Sequence, residues 1–170
     1  MGNTELRNES SVNSEKSEFF LEKSSFSLPL LLKEVVDELR PFADTKAVHI
    51  KIVAGQKLPR TISSDPIRLK LVLVNIIGHA IRCAQDSELA VLVDCLKTSS
   101  NNAKLLQVAV RTKSVHFSDD RLELYQTKKV AKILGGDVVL KFSTPDLGAS
   151  FVATFLIQDD EAEYSSVLMH

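Results

Sequence analysis

Four polar side chains recur at helical spacing between Asp65 and Ala84: Arg68, Asn75, His79 and Arg82. At 100° per residue Asn75, His79 and Arg82 share one helix face, with Arg68 beside them. The imidazole of His79 and the guanidinium of Arg82 together could hold an anion. The plainer reading, a polar face left in solvent, is the stronger of the two. Zinc is another chemistry for such residues, since His79 and Cys83 stand at i, i+4 and His116 could join them. Cys83, however, turns toward the core face of the helix and no fourth ligand is evident, so zinc is set aside. Phosphate-cradling glycine loops are excluded over a long interval. The chain has six glycines, and none lies between Gly78 and Gly135.

The elements that must position these residues follow from caps and periodicity. Asp65-Pro66 is a helix start, with a capping carboxylate and proline at the first helical position. That helix should run to about Ala84, with Leu69, Val72, Leu73, Ile76 and Ala80 on its core face. A second apolar stripe, Leu71, Val74 and Ile81, lies away from both core and polar face. It either buries against a neighbouring element or forms a candidate interface, interrupted by Lys70. Ser27 and Pro29 open an earlier helix reaching about Asp44, in which Leu31, Leu32, Val35, Val36 and Leu39 keep the helical period. Residues 18–23 read as a short edge strand and 49–53 as a half-buried one. Strands are expected at 88–96 and 105–112. A third helix, capped by Ser118-Asp119-Asp120, stops at Gly135-Gly136. Residues 137–143 and 150–158 pair across the turn from Pro145 to Gly148.

After the edge strand, the order is helix and two strands, three times over, although no run of residues marks the second strand of the first pair. This implies a two-layer α/β sandwich, a mixed sheet with three helices on one face. The organisation expected is a disordered lead-in over 1–18, one domain over 19–158 and a loose tail over 159–170.

The bulk numbers fit that picture. With 170 residues, 44% of them hydrophobic and 25% charged, the chain suits one soluble domain. A formal net charge of -1 and the absence of a long basic run speak against nucleic-acid binding. Cys83 and Cys95 lie in apolar segments and read as reduced thiols. No apolar stretch is long enough to span a bilayer. The expected location is the cytoplasm, alone or as the cytosolic part of a larger receptor, with no membrane contact by this domain. Met1-Gly2-Asn3 has Leu6 where a myristoylation start would have Ser or Thr, and carries no inference.

Several phrases, in order, resemble the catalytic domain of sensor histidine kinases, in the GHKL superfamily of Bergerat-type ATPases. Phe26-Ser27-Leu28, Glu34-Val35, Ala43 and Lys46 resemble its opening helix. Asp65-Pro66-Ile67-Arg68-Leu69 and Asn75-Ile76-Ile77-Gly78-His79-Ala80-Ile81-Arg82 resemble its asparagine box. Leu134-Gly135-Gly136-Asp137-Val138 resembles the end of its last helix, and Gly148-Ala149-Ser150-Phe151 its final glycine box. The similarity spans about residues 20–158.

The resemblance implies an ATP site, and it implies that the site is degenerate. The family's asparagine-box helix lays its polar side along the triphosphate. Asn75 keeps the first asparagine, His79 replaces the magnesium-holding second, and Arg82 replaces a lysine. An imidazole is a poor substitute for the oxygen ligand that magnesium prefers. The family's Asp-x-Gly-x-Gly adenine motif corresponds to Thr112, Ser114 and His116 here. Threonine lacks the charge that strengthens the adenine bond, and His116 is bulky where the backbone must approach the ligand. The mobile lid and its glycines are missing.

The expectation is therefore a pseudokinase with no ATP or magnesium bound and no catalytic residue. It would act as a regulatory or docking module in two-component or related signalling. A response regulator or a kinase would be its partner, and a homodimer could form through regions outside this sequence. The alternatives are an active ATP-binding kinase domain with aberrant motifs, and a pocket adapted to another small ligand.

Overall fold

A computed structural model describes residues 20–84, 88–99, 103–113, 121–144 and 148–159. Its elements run β1 (Ser24–Ser27), α1 (Leu28–Thr45), β2 (His49–Ala54), β3 (Thr61–Ser64), α2 (Pro66–Cys83), β4 (Glu88–Lys97), β5 (Ala103–Thr112), α3 (Arg121–Ile133), β6 (Asp137–Thr144) and β7 (Gly148–Asp159). The expected caps form. Ser27 Oγ accepts from the Leu30 N–H, and Asp65 accepts from the Arg68 N–H with Pro66 at the first helical position. The segments expected to be a lead-in and a third helix cap lie outside the described residues, as does the expected tail beyond Asp159.

The strands form one mixed sheet in the order β1-β3-β7-β5-β4-β2, with β6 also pairing β7. β2 runs parallel to β4, and the other pairs are antiparallel. Strand alternation sends Leu89, Val91, Val93, Leu106, Val108, Val110, Phe151, Ala153, Phe155 and Ile157 to the helix side, where all are buried. They meet Leu28, Val35 and Leu39 of α1 and Leu69, Val72, Leu73, Ile76 and Ala80 of α2 in one core. The result is the expected two-layer sandwich.

Two local expectations are corrected. The first strand is Ser24–Ser27, not 18–23. The backbone before it is hydrogen-bonded to the start of α2 instead: Phe20 O accepts from Arg68 Nη1 at 2.9 Å, and the Glu22 N–H donates to Asp65 Oδ2 at 3.1 Å. The strand at 49–53 is an edge strand exposed at most positions, not a half-buried one. The second strand of the first pair is β3, four residues that are too few to show a period.

Glycines close the fold at two places. Gly135 has φ +72°, and the Gly136 N–H donates to Ala131 O at 2.9 Å, which ends α3. Gly148, at φ +81°, starts β7 so close to β5 that an added Cβ would stand 1.7 Å from Thr112 O.

Candidate functional site

α2 is the central helix, flanked by α1 and α3 and lying on the sheet. That position decides what its side chains can do. Asn75 does not face open solvent: its Nδ2 donates to Thr127 Oγ1 of α3 at 3.1 Å, and Thr127 is 1% exposed. His79 is 5% exposed. Its ring stands edge-on to Phe151 of β7, with centroids 5.1 Å apart and planes at 87°, and its Nε2 lies 3.7 Å from Cys83 Sγ. A solvated polar face is therefore not what forms, because α3 roofs the Asn75 turn and the sheet receives the His79 ring. Arg82 is half-buried at the last turn, where its carbonyl accepts from Lys46 Nζ at 2.9 Å. Lys46 thus serves as a cationic cap on the negative end of α2.

At the far end of the sheet Thr112 and Gly148 come together. Thr112 is 4% exposed, pairs with Ala149, and offers its carbonyl against Gly148. Phe151 follows on the same strand face, so His79, Phe151, Thr112 and Gly148 border one region of the core. Ser114 and His116 lie outside the described residues. Among the described residues no cluster of three or more His, Cys, Asp or Glu is close enough to hold a metal. Cys83 is buried and Cys95 half-buried.

The second apolar stripe does not act as a unit. Ile81 is fully buried in the core and drops out as an interface residue, because the central helix has a neighbour on that side too. Val74 packs against the core, partly buried. Leu71 alone is well exposed, at 47%.

Leu71 borders a groove of about 870 Å³ between α2 and α3, which Arg68, Asn75, Gln126, Thr127, Lys129, Val130, Lys132 and Ile133 also line. Its volume is ordinary for a small-ligand site. Its cations, however, are engaged. Arg68 Nη1 is held by Asp65 Oδ2, Lys129 sits 4.7 Å above the Tyr125 ring, and Lys132 pairs with Asp137 at 2.9 Å. Burial pushes the Asp137 carboxyl up, but Lys132, the Val138 N–H and Lys128 outweigh it and hold the group below the usual carboxylate range. Sequence reasoning missed Thr127, Lys129 and Lys132. They lie on a helix read only through its ends, and nothing local announces which turn of α2 they cross.

The burial of His79 carries a measurable consequence. Alanine at position 79 should lower stability by about 2–4 kcal/mol, because a cavity opens beside Phe151. A solvent-facing histidine would change stability by no more than about 0.5 kcal/mol. Urea denaturation distinguishes the two.

With the geometry in hand, the fold is that of the catalytic domain of histidine kinases. The domain of Acinetobacter baumannii AdeS superposes with TM-score 0.60 at 16% identity, covering 86% of this chain and 72% of that one. The catalytic domain of ThkA, nucleotide-free, gives 0.62 at 16% identity over 79% of this chain and 96% of that one. Full-length ShkA in complex with AMPPNP gives 0.64 at 18% identity, covering 93% of this chain and 40% of that one. In sequence, the chain is 24% identical over 161 residues to the signal transduction histidine-protein kinase BarA of Escherichia coli K12. The match takes in 81% of this chain but only 17% of the length of BarA. No family model matches the chain. Among the described residues no helix is long and apolar enough to cross a membrane.

Proposed function

We propose that this chain is a histidine-kinase-like domain that does not bind ATP productively and serves as a regulatory or docking module in two-component or related signalling. One observation carries the reading: the face of α2 that should border a triphosphate is already used for packing. The Asn75 amide donates to Thr127, and His79, at the magnesium position implied by the resemblance, stands in the core against Phe151. Freeing either side chain for a ligand means breaking a packed contact first. The cations nearest by, Arg68, Lys129 and Lys132, have intramolecular partners already. Only eight residues, 113–120, separate β5 from α3, which is short for a glycine-rich lid.

The docking half of the proposal rests on relatives and on the groove. ThkA has been solved in complex with the response regulator TrrA, which makes a response regulator the first class of partner to test. On this chain the exposed Leu71 beside the α2–α3 groove is the proposed contact. The volume of that groove supports a second reading, a small ligand other than ATP.

Melting the protein with and without magnesium-ATP tests the proposal. A site filled at a hundred times its dissociation constant would add about 2.7 kcal/mol, an upward shift of several degrees. The expected shift is zero. A dose-dependent rise in melting temperature with ATP would favour the active-kinase alternative.

A further inference from the structure

The strands of this sheet read as though both faces were buried, while among the described residues the helices cover only one. β4 carries Leu89-Ala90-Val91-Leu92-Val93, and β7 carries Phe151-Val152-Ala153. A sheet with one wet face alternates apolar and polar residues, whereas near-continuous apolar runs mark strands covered on both sides. Register shows where the surplus goes. On the face away from the helices, Val53 pairs with Leu92, Leu92 with Ala109, Ala109 with Val152, and Val152 with Val139. That is one unbroken apolar row across five strands. Val53 and Val139 at its ends are 43% and 38% exposed, and the three between are half-buried.

The charges beside the row are sorted by sign. Two residues toward one end of the strands, the neighbouring row is Lys51, Ala90, Arg111 and Ser150. Two residues the other way, it is Asp94, Gln107, Thr154 and Asp137. One flank is basic through Lys51 and Arg111, and the other is acidic through Asp94 alone, since Asp137 is held by Lys128 and Lys132 of α3. A two-fold axis lying along the apolar row lays the row on itself and turns each basic flank onto the acidic flank of the other copy. Asp94 then faces Ala90 of the second copy, between its Lys51 and its Arg111. Among the described residues Lys51 is linked loosely to Glu88, at 3.9 Å, with both side chains at least half exposed.

The geometry points to a second copy of this chain as what covers the open face, in a face-to-face dimer with the two-fold axis along the Val53–Val139 row. The five strands hold 6, 10, 10, 12 and 8 residues, which at about 3.3 Å per residue and about 4.8 Å between strands make a face of about 700 Å². A standard stable interface buries about 800 Å² per partner. Two twisted sheets meeting this way are an aligned sandwich, with their strands within about 30° of each other. The inference is independent of whether the domain binds ATP.

Sedimentation of the 170-residue chain over a range of concentrations, beside three sets of variants, tests it. The wild type should show twice the chain mass, and Ala109→Lys should be monomeric with an unchanged melting temperature. Should Ala109→Lys fail to fold, Val53→Lys on the exposed edge strand takes its place. Asp94→Lys should weaken the dimer about tenfold or more, roughly 1.4 kcal/mol. Combining it with Lys51→Asp and Arg111→Asp should restore association. A wild type that is monomeric throughout would overturn the proposal and leave the face to a different protein. So would a dimer indifferent to Ala109→Lys, Val53→Lys and Asp94→Lys, which would have to form elsewhere.

Discussion

Alanine in place of Gly148 is expected to destabilise the domain by about 3 kcal/mol or more. Two effects add at this residue. Its φ of +81° lies where a side chain is strained, and its missing Cβ would stand 1.7 Å from Thr112 O and 2.7 Å from the carbonyl carbon. Neither strand can yield easily, since Thr112 is paired with Ala149 and Gly148 with Thr144. Gly78 provides the contrast. A Cβ there would meet only Leu39 Cδ2, at 3.6 Å, so Gly78→Ala should be neutral or stabilising by up to about 1 kcal/mol through helix propensity. Urea unfolding of both variants checks the pair. A Gly148→Ala protein as stable as the wild type would mean that β5 and β7 are not apposed as described. The result also bears on function, because a glycine that resembles a nucleotide-binding motif is here required by strand packing, with or without a phosphate to approach.

Asp65→Ala is the second large effect, an expected loss of about 2–4 kcal/mol. The Asp65 carboxylate is 2% exposed. It caps α2 through the Arg68 N–H at 3.0 Å, binds the Arg68 guanidinium, and accepts from the Glu22 N–H. Removing it leaves the first turn of α2 uncapped and Arg68 without its carboxylate, while the backbone of residues 20–22 loses an anchor. Burial pushes this carboxyl upward. The Arg68 N–H and guanidinium and the Glu22 N–H outweigh that, and hold it below the ordinary carboxylate value of 3.8. A folded-state pKa below the unfolded one binds fewer protons in the native state. Its stabilisation is therefore fully present above the ordinary carboxylate range and is lost as pH falls through the folded value. Wild-type stability should drop in acid more steeply than that of Asp65→Ala. Parallel pH profiles for the two proteins would contradict this role.

Much of the fold was legible because its signals are local. Asp65-Pro66, Ser27 and Gly135-Gly136 each fix a helix end through backbone hydrogen bonding within a few residues, and all three act where expected. β3 was not legible, since Thr61–Ser64 is held by pairing with β1 and β7 rather than by a pattern of its own. The site was legible only in part. Helical geometry put Asn75, His79 and Arg82 on one face correctly, but which neighbour covers that face is tertiary information. The same blindness explains Ile81. Its position left burial and a surface stripe both open, and α2, the central helix packed on more sides than an ordinary amphipathic helix, decides for burial. Gly148 and Thr112 were read separately, and only strand register brings them into contact.

A calorimetric titration of magnesium-ATP into the 170-residue chain tests the central claim most directly. The packing of Asn75 on Thr127 and of His79 on Phe151 predicts heats of dilution alone, up to millimolar nucleotide. A saturable one-to-one isotherm with a micromolar dissociation constant, about 8 kcal/mol of binding free energy, would contradict it and make this an ATP-binding domain.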